Sequence, residues 1–183
     1  MFRLENLRPS PPEPKETGVL MKLACIYSPW LLAHRPRGLD FQNLFIDPRG
    51  LTGSEYGIAR CAEEFAKLGH EVEIFTVTED KEWRGVKLRK WEERSAIDES
   101  FDIAISFNIP DDLRVTKPKF RATIFWLNNF TFCKPGFDEH CDLFIGPSEP
   151  HRHEALNVWK TVEGGGRHDA DPAKWTHTPL GCD

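Results

Sequence analysis

Residues 51–78, LTGSEYGIARCAEEFAKLGHEVEIFTVT, pass from a glycine turn into an apolar pattern of helical period, then to a second glycine and a nearly unbroken apolar run. Ile58, Cys61, Ala62, Phe65 and Leu68 recur at the spacing of one helix face, with Arg60, Glu63, Glu64 and Lys67 on the other. Thr52 and Glu55 stand at the spacing of a capping box, which starts the helix at Gly53. Gly69 suits the left-handed residue that ends a helix. Val72, Ile74, Phe75 and Val77 then predict a strand buried on both faces. A helix start presents unpaired amides and the positive end of the helix dipole, so this unit predicts a cleft that faces a phosphate or nucleotide.

The rest of the chain reads in the same alternation. Leu23 to Tyr27 is a first strand, ended by Ser28-Pro29. The connection from Ser28 to Thr52 is long for an α/β domain and too apolar for a solvated loop. It predicts a segment folded over the cleft, with Trp30, Phe41 and Phe45 buried and His34 and Arg35 or Arg37 at the mouth. Val86, Leu88 and Trp91 form a short, more exposed alternating strand, and 103–107, 123–127 and 143–145 carry the apolar runs of parallel strands. Between them, Pro110, Pro118 and Pro135 make the crossovers irregular. Ser148 caps a helix running to about Trp159, and 176–180 returns to the sheet edge. The order predicts a Rossmann-like, doubly wound parallel α/β sheet as a single domain over 21–183, behind a disordered Pro-rich tail over 1–20. Whether Met21 is the true start stays open. Ligands of such sheets bind beyond the carboxyl ends of the strands, which singles out Ser28, Asn108, Asn128, Asn129 and Ser148.

Composition narrows the function. At 183 residues the chain suits one domain, and no apolar stretch approaches the ~20 residues of a membrane span. A net charge of −5 without a basic stripe argues against nucleic acid as a partner. Five cysteines at irregular spacing do not read as a disulfide framework, which favours a reducing, cytoplasmic setting. Cys133, His140, Cys141, His151 and His153 crowd together in sequence, yet without a C-x-x-C pair, so no metal is expected. Arg3, Glu5, Asn6 and Arg8 interrupt any signal-peptide core.

Thr52-Gly53-Ser54-Glu55, the alanine-containing helix and Lys67 to Thr76 (KLGHEVEIFT) resemble the G-G-x-E helix and the R-G-H-x-V-x-V-x-T segment of the N-terminal domain of family 4-like glycosyltransferases of the GT-B fold. Phe101-Asp102-Ile103-Ala104 is similar to that family's YDVV strand, and Phe125 to Asn129 stands where its strand ends in W-x-H-D. Residues 145–152, IGPSEPHR, resemble its xxSxxxR junction, and 179–183, PLGCD, its closing PNGVD. The resemblance spans 21–183. It implies the N-terminal, acceptor-side half of a retaining, metal-independent transferase that moves a sugar from a nucleotide-diphosphate donor to a carbohydrate or other hydroxyl acceptor, with no cofactor. The enzyme would be cytoplasmic, either free or peripheral to the inner face of the membrane. The donor-binding half, as a C-terminal domain or a partner subunit, would lie outside this chain. Gly53 and Ser54 would meet the donor phosphate, and Asn128, Asn129, Ser148 and His151 the acceptor.

Two departures from the family pattern stand out. Thr52 replaces the first glycine and supplies a better cap, while Asn128 and Asn129 replace the His-Asp pair and remove an imidazole beside the reacting sugar. Two other readings remain. One is a stand-alone glycan-binding or assembly module without catalysis of its own. The other is a nucleotide-binding oxidoreductase, weakened because no G-x-G-x-x-G follows the first strand.

Overall fold

The computed structural model describes residues 19–32, 38–46, 52–107, 109, 113, 121–126, 141–146, 148–150 and 172–177. Its eight strands are β1 (Lys22–Ile26), β2 (Glu71–Thr76), β3 (Glu82–Trp83), β4 (Val86–Lys90), β5 (Ile103–Phe107), β6 (Ala122–Trp126), β7 (Leu143–Gly146) and β8 (Trp175–His177). They form one sheet in the order β3-β4-β2-β1-β5-β6-β7-β8. Every pairing is parallel except β3 with β4. The chain grows outward from β1 to β2 and β4, then crosses back to β5 and grows the other way, so the order reverses between β1 and β5.

Helix α1 (Gly53–Lys67) joins β1 to β2, and both ends follow the sequence pattern. The Thr52 hydroxyl accepts from the Glu55 amide at 3.3 Å, and the Glu55 carboxylate accepts from the Thr52 amide at 2.8 Å. At the other end Gly69 adopts φ +91. Its amide donates to Ala66 O and the His70 amide to Phe65 O, the paired bonds of a Schellman stop. Ile58, Ala59 and Ala62 pack on Leu23, Cys25, Val72, Ile74, Val86 and Leu88, which makes this face of the sheet the main core.

Several expectations are corrected. The sheet is mixed, because Trp83-Arg84-Gly85-Val86 turns β3 back on β4 as a hairpin. Trp91 opens a 3₁₀ turn, Trp91–Ala96, instead of extending β4. On α1, Glu63 is buried at 3% exposure while Leu68 is 60% exposed. Glu63 is drawn inward because Arg84, on the hairpin, reaches its carboxylate at 2.6 Å, with Arg60 at 3.0 Å and Lys67 at 3.3 Å. No sequence periodicity contains that hairpin partner. Phe45 is not buried but 37% exposed.

The second face of the sheet is layered differently. Among the described residues, Ala24, Ile26 and Phe75 pack with Ile97, Phe101 and the flank of Trp91. Toward the amino ends of the strands the apolar layer gives way to a ladder of alternating sign. Glu73 is buried at 3% in β2 between Arg89 at 3.0 Å, Lys22 at 3.5 Å and Lys87 at 3.8 Å. Burial of that carboxylate is tolerable because cations on both neighbouring strands reach it.

The described part of the long connection is pinned to the ends of β2 and the hairpin. Leu39 N donates to Val77 O at 2.8 Å, Thr78 Oγ1 donates to Leu39 O at 2.8 Å, and Phe41 N donates to Asp80 Oδ2 at 2.7 Å. Gly38 has φ +75, and a Cβ there would lie 1.8 Å from Val77 O, so only glycine fits this crossing. Leu39, Phe41 and Leu44 are buried as a result. The side chain of Trp30 and residues His34, Arg35 and Arg37 lie outside what the structure describes.

Candidate functional site

A helix joining two parallel strands runs antiparallel to them, so α1 starts at the carboxyl edge of the sheet. Gly53 and Ser54 therefore stand beside the ends of β1 and β2. Thr52 has extended dihedrals, φ −74 and ψ 159, and turns the chain into the helix. The capping box takes the Glu55 amide and leaves the Gly53 amide outside it. A Cβ built on Gly53 meets none of the described residues within 4 Å, which leaves the turn open on their side. Glu55 is fully buried and held by the cap, which excludes it as a solvent-facing base.

Three buried polar atoms without hydrogen bonds lie at this same edge: Ser28 Oγ after β1, Thr76 Oγ1 at the end of β2 and Trp126 Nε1 at the end of β6. Most buried polar groups are paired, so these three, like Arg60 Nε and Trp91 Nε1 elsewhere, keep hydrogen-bonding capacity that no described residue takes up. Ser28 follows from its position after a strand. Thr76 and Trp126 were legible only as strand residues, since nothing in the local pattern distinguishes a paired hydroxyl or indole from an unpaired one. Trp126 stacks on Phe107 at 5.2 Å and 22° and packs against the core, as its place in an apolar strand suggests.

Ser148 is half-buried and stands just before the helical residues 149–150, at the end of β7, consistent with a cap position. Beside it, Glu149 Oε2 and His177 Nδ1 approach to 2.9 Å across the ends of β7 and β8. That pair is far apart in sequence and was not anticipated. Asn108, Asn128, Asn129 and His151 lie outside the described residues. The described part of the predicted site is thus Gly53, Ser54, Ser28 and Ser148.

Other motif residues sit at the opposite edge. Asp102 Oδ2 accepts from Lys22 N at 2.9 Å, Asp142 Oδ2 accepts from Thr123 N and Oγ1, each at 2.8 Å, and His70 Nδ1 accepts from Met21 N at 3.3 Å. These side chains satisfy the first amides of parallel strands, which otherwise have no ladder partner. Phe101-Asp102 and Gly69-His70 are therefore strand-start devices, remote from α1's N-terminus.

A cavity of about 570 Å³ opens between residues 78–81 and β4. Lys81, Lys87, Arg89 and Lys90 face Glu79, Asp80 and Glu93 there, so the charges nearly cancel and the space is not an anion site. Cys25 and Cys61 are free thiols. Burial pushes the Cys61 thiol up to about 11 and Cys25 well above its ordinary value, which leaves neither as a nucleophile. Among the described residues no group of three His, Cys, Asp or Glu gathers as a metal site, and no helix is long and apolar enough to cross a membrane. Neither the family models nor the curated proteins contain a match to this chain.

Proposed function

We propose that this chain is the acceptor-side, Rossmann-like doubly wound domain of a retaining, metal-independent glycosyltransferase using a nucleotide-diphosphate sugar. The observation that carries the reading is the open, capped start of α1 at the carboxyl edge, beside the reversal of strand order, where doubly wound sheets place their ligands. The ordered resemblance to the family's segments supplies the reaction class. In that role the Gly53 turn offers an amide and the helix dipole to charge developing on the departing diphosphate. The orphan groups Ser28 Oγ, Thr76 Oγ1 and Trp126 Nε1 are suited to hydrogen-bond a polyhydroxyl ligand. Asn128, Asn129, Ser148 and His151 are proposed on the acceptor side, in a cytoplasmic enzyme whose donor-binding half is a separate domain or subunit. A glycan-binding module without catalysis is the second reading, favoured if the same edge binds sugars but no nucleotide.

The test is Gly53→Val. The added side chain meets no neighbour in the fold, so stability should change little, within about 1 kcal/mol. Binding of a sugar nucleotide, followed by calorimetry with the donor half present, should weaken about tenfold or more. Unchanged binding with an intact fold would place the cleft elsewhere.

A further inference from the structure

The side of α1 that faces the β3–β4 hairpin carries exposed groups to which the transferase reading gives no role. Phe45, Ile46 and Tyr56 are 37%, 78% and 40% exposed, half of the six large apolar side chains that are exposed among the described residues. Two guanidiniums lie over these rings. The Arg60 guanidinium carbon is 4.6 Å from the Phe45 centroid and 5.5 Å from that of Tyr56. Arg84 is 5.6 Å from Phe45 and 5.1 Å from Trp83. Phe45 in turn meets Tyr56 edge-on at 5.9 Å and Trp83 at 6.0 Å.

The arrangement is preorganised. Arg84 and Gly85 form a two-residue hairpin turn with φ 49 and φ 80, and the first position of such a turn ordinarily holds Asn, Asp or Gly. The chain accepts a left-handed arginine there, which places its guanidinium against Trp83, Phe45 and Glu63. Among the described residues Glu63 anchors both arginines and is also reached by Lys67, which in turn pairs with Glu64 at 2.7 Å, so three cations face two carboxylates here on a chain of net charge −5. Both arginine side chains remain about half exposed, at 42% and 50%.

Aromatic faces offer stacking area to the C–H face of a sugar ring, and a stacked guanidinium offers a fork of donors to a carboxylate. Among the described residues the exposed cluster is about five side chains, whereas a stable protein interface engages roughly 20–30 residues a side, so the cluster matches a sugar-sized occupant. We propose that this face binds an acidic glycan of the uronic-acid type, with Tyr56 and Phe45 against a ring and Arg60 and Arg84 on its carboxylate. The proposal rests on the transferase reading and deepens it. Tyr56 stands in the first turn of α1 next to the Gly53 turn, so the face would hold a more distant unit of an acidic acceptor.

The chain is titrated with a galacturonic acid hexamer and, separately, with its methyl-esterified form, following tryptophan fluorescence and backbone amide shifts. The acid form is expected to bind at least about tenfold tighter than the ester, with shifts grouped around Tyr56, Arg60 and Arg84. Tyr56→Ser, at an exposed site, should weaken binding about tenfold while the melting temperature holds, and Arg84→Lys, which keeps a cation for Glu63 but loses the guanidinium fork, should weaken it likewise. Trp83→Phe should remove the fluorescence response. Equal binding of ester and acid, no binding, shifts elsewhere, or an acidic peptide of equal charge binding as tightly would overturn the proposal. If the hexamer binds as expected while no sugar nucleotide, with the donor half present, perturbs Gly53 or Ser54, the transferase reading fails and this face stands. If nucleotide binds and the hexamer does not, the reverse holds.

Discussion

Glu63 shows how one side chain can tie an element to the fold. Burial raises the pKa of its carboxyl, but hydrogen bonds and charge from Arg84 and Lys67 more than offset this and hold it below the ordinary value. A carboxylate with a lowered folded-state pKa adds stability above its unfolded value, near 4.3, and loses it as pH falls through the folded value. Glu63→Gln should therefore destabilise the protein at pH 7 by about 1.5–3 kcal/mol, with a smaller difference from the parent in acid. Urea denaturation at pH 7 and at pH 3 checks this. Equal losses at both would mean that shape, not charge, holds the hairpin to α1. The exchange of Leu68 for Glu63 as the buried residue is a matter of the same scale, because hydrophobicity sets the average preference of a position and three specific cations outweighed it.

Helix α1 is the element whose sequence and structure agree most closely, and its glycines have separable roles. Gly57 lies inside the helix with open space around its Cα, so Gly57→Ala should raise stability by about 0.5–1 kcal/mol through lower unfolded-state entropy. Thr52→Ala removes the hydroxyl of the capping box and should cost about 1 kcal/mol. Thermal melts of the two variants test the helix ends independently of function. If Gly57→Ala left stability unchanged but impaired ligand binding, the ligand would extend further along α1 than the first turn. The hairpin belongs to this scale too. Only two residues of β3 are paired, too few to show alternation, and that is why the antiparallel strand was not foreseen.

Across the whole molecule, the polar devices divide by edge. The amino edge carries Asp102, Asp142 and His70, which close strand starts, while the carboxyl edge carries the Gly53 turn and unpaired Ser28, Thr76 and Trp126 groups. The named side chains at the amino edge close strand-start amides, whereas the three groups at the carboxyl edge keep hydrogen-bonding capacity for the ligand proposed there. If the donor-binding half is indeed separate, the chain by itself should show no sugar transfer when assayed with a panel of sugar nucleotides and glycan acceptors. Robust turnover by the isolated chain would show that one domain suffices and would end the half-enzyme reading.

Periodicity, caps and breakers act through neighbours in sequence, and so the sequence alone determined α1, its two ends, and the places of β1, β2, β5, β6 and β7 to within a residue or so. By the same logic it placed Gly53, Ser54 and Ser148 at strand-to-helix junctions. Contacts between distant segments were decided only in the tertiary structure. These are the burial of Glu63 under Arg84, the charge ladder around Glu73, the pairing of Glu149 with His177, and the exposure of Phe45 against Tyr56 and Trp83. The physical reason is range: a cap or a helix face is set by residues within a few positions of one another. A buried charge or an unpaired hydroxyl depends on which strand lies alongside, and that is fixed only when the sheet order is.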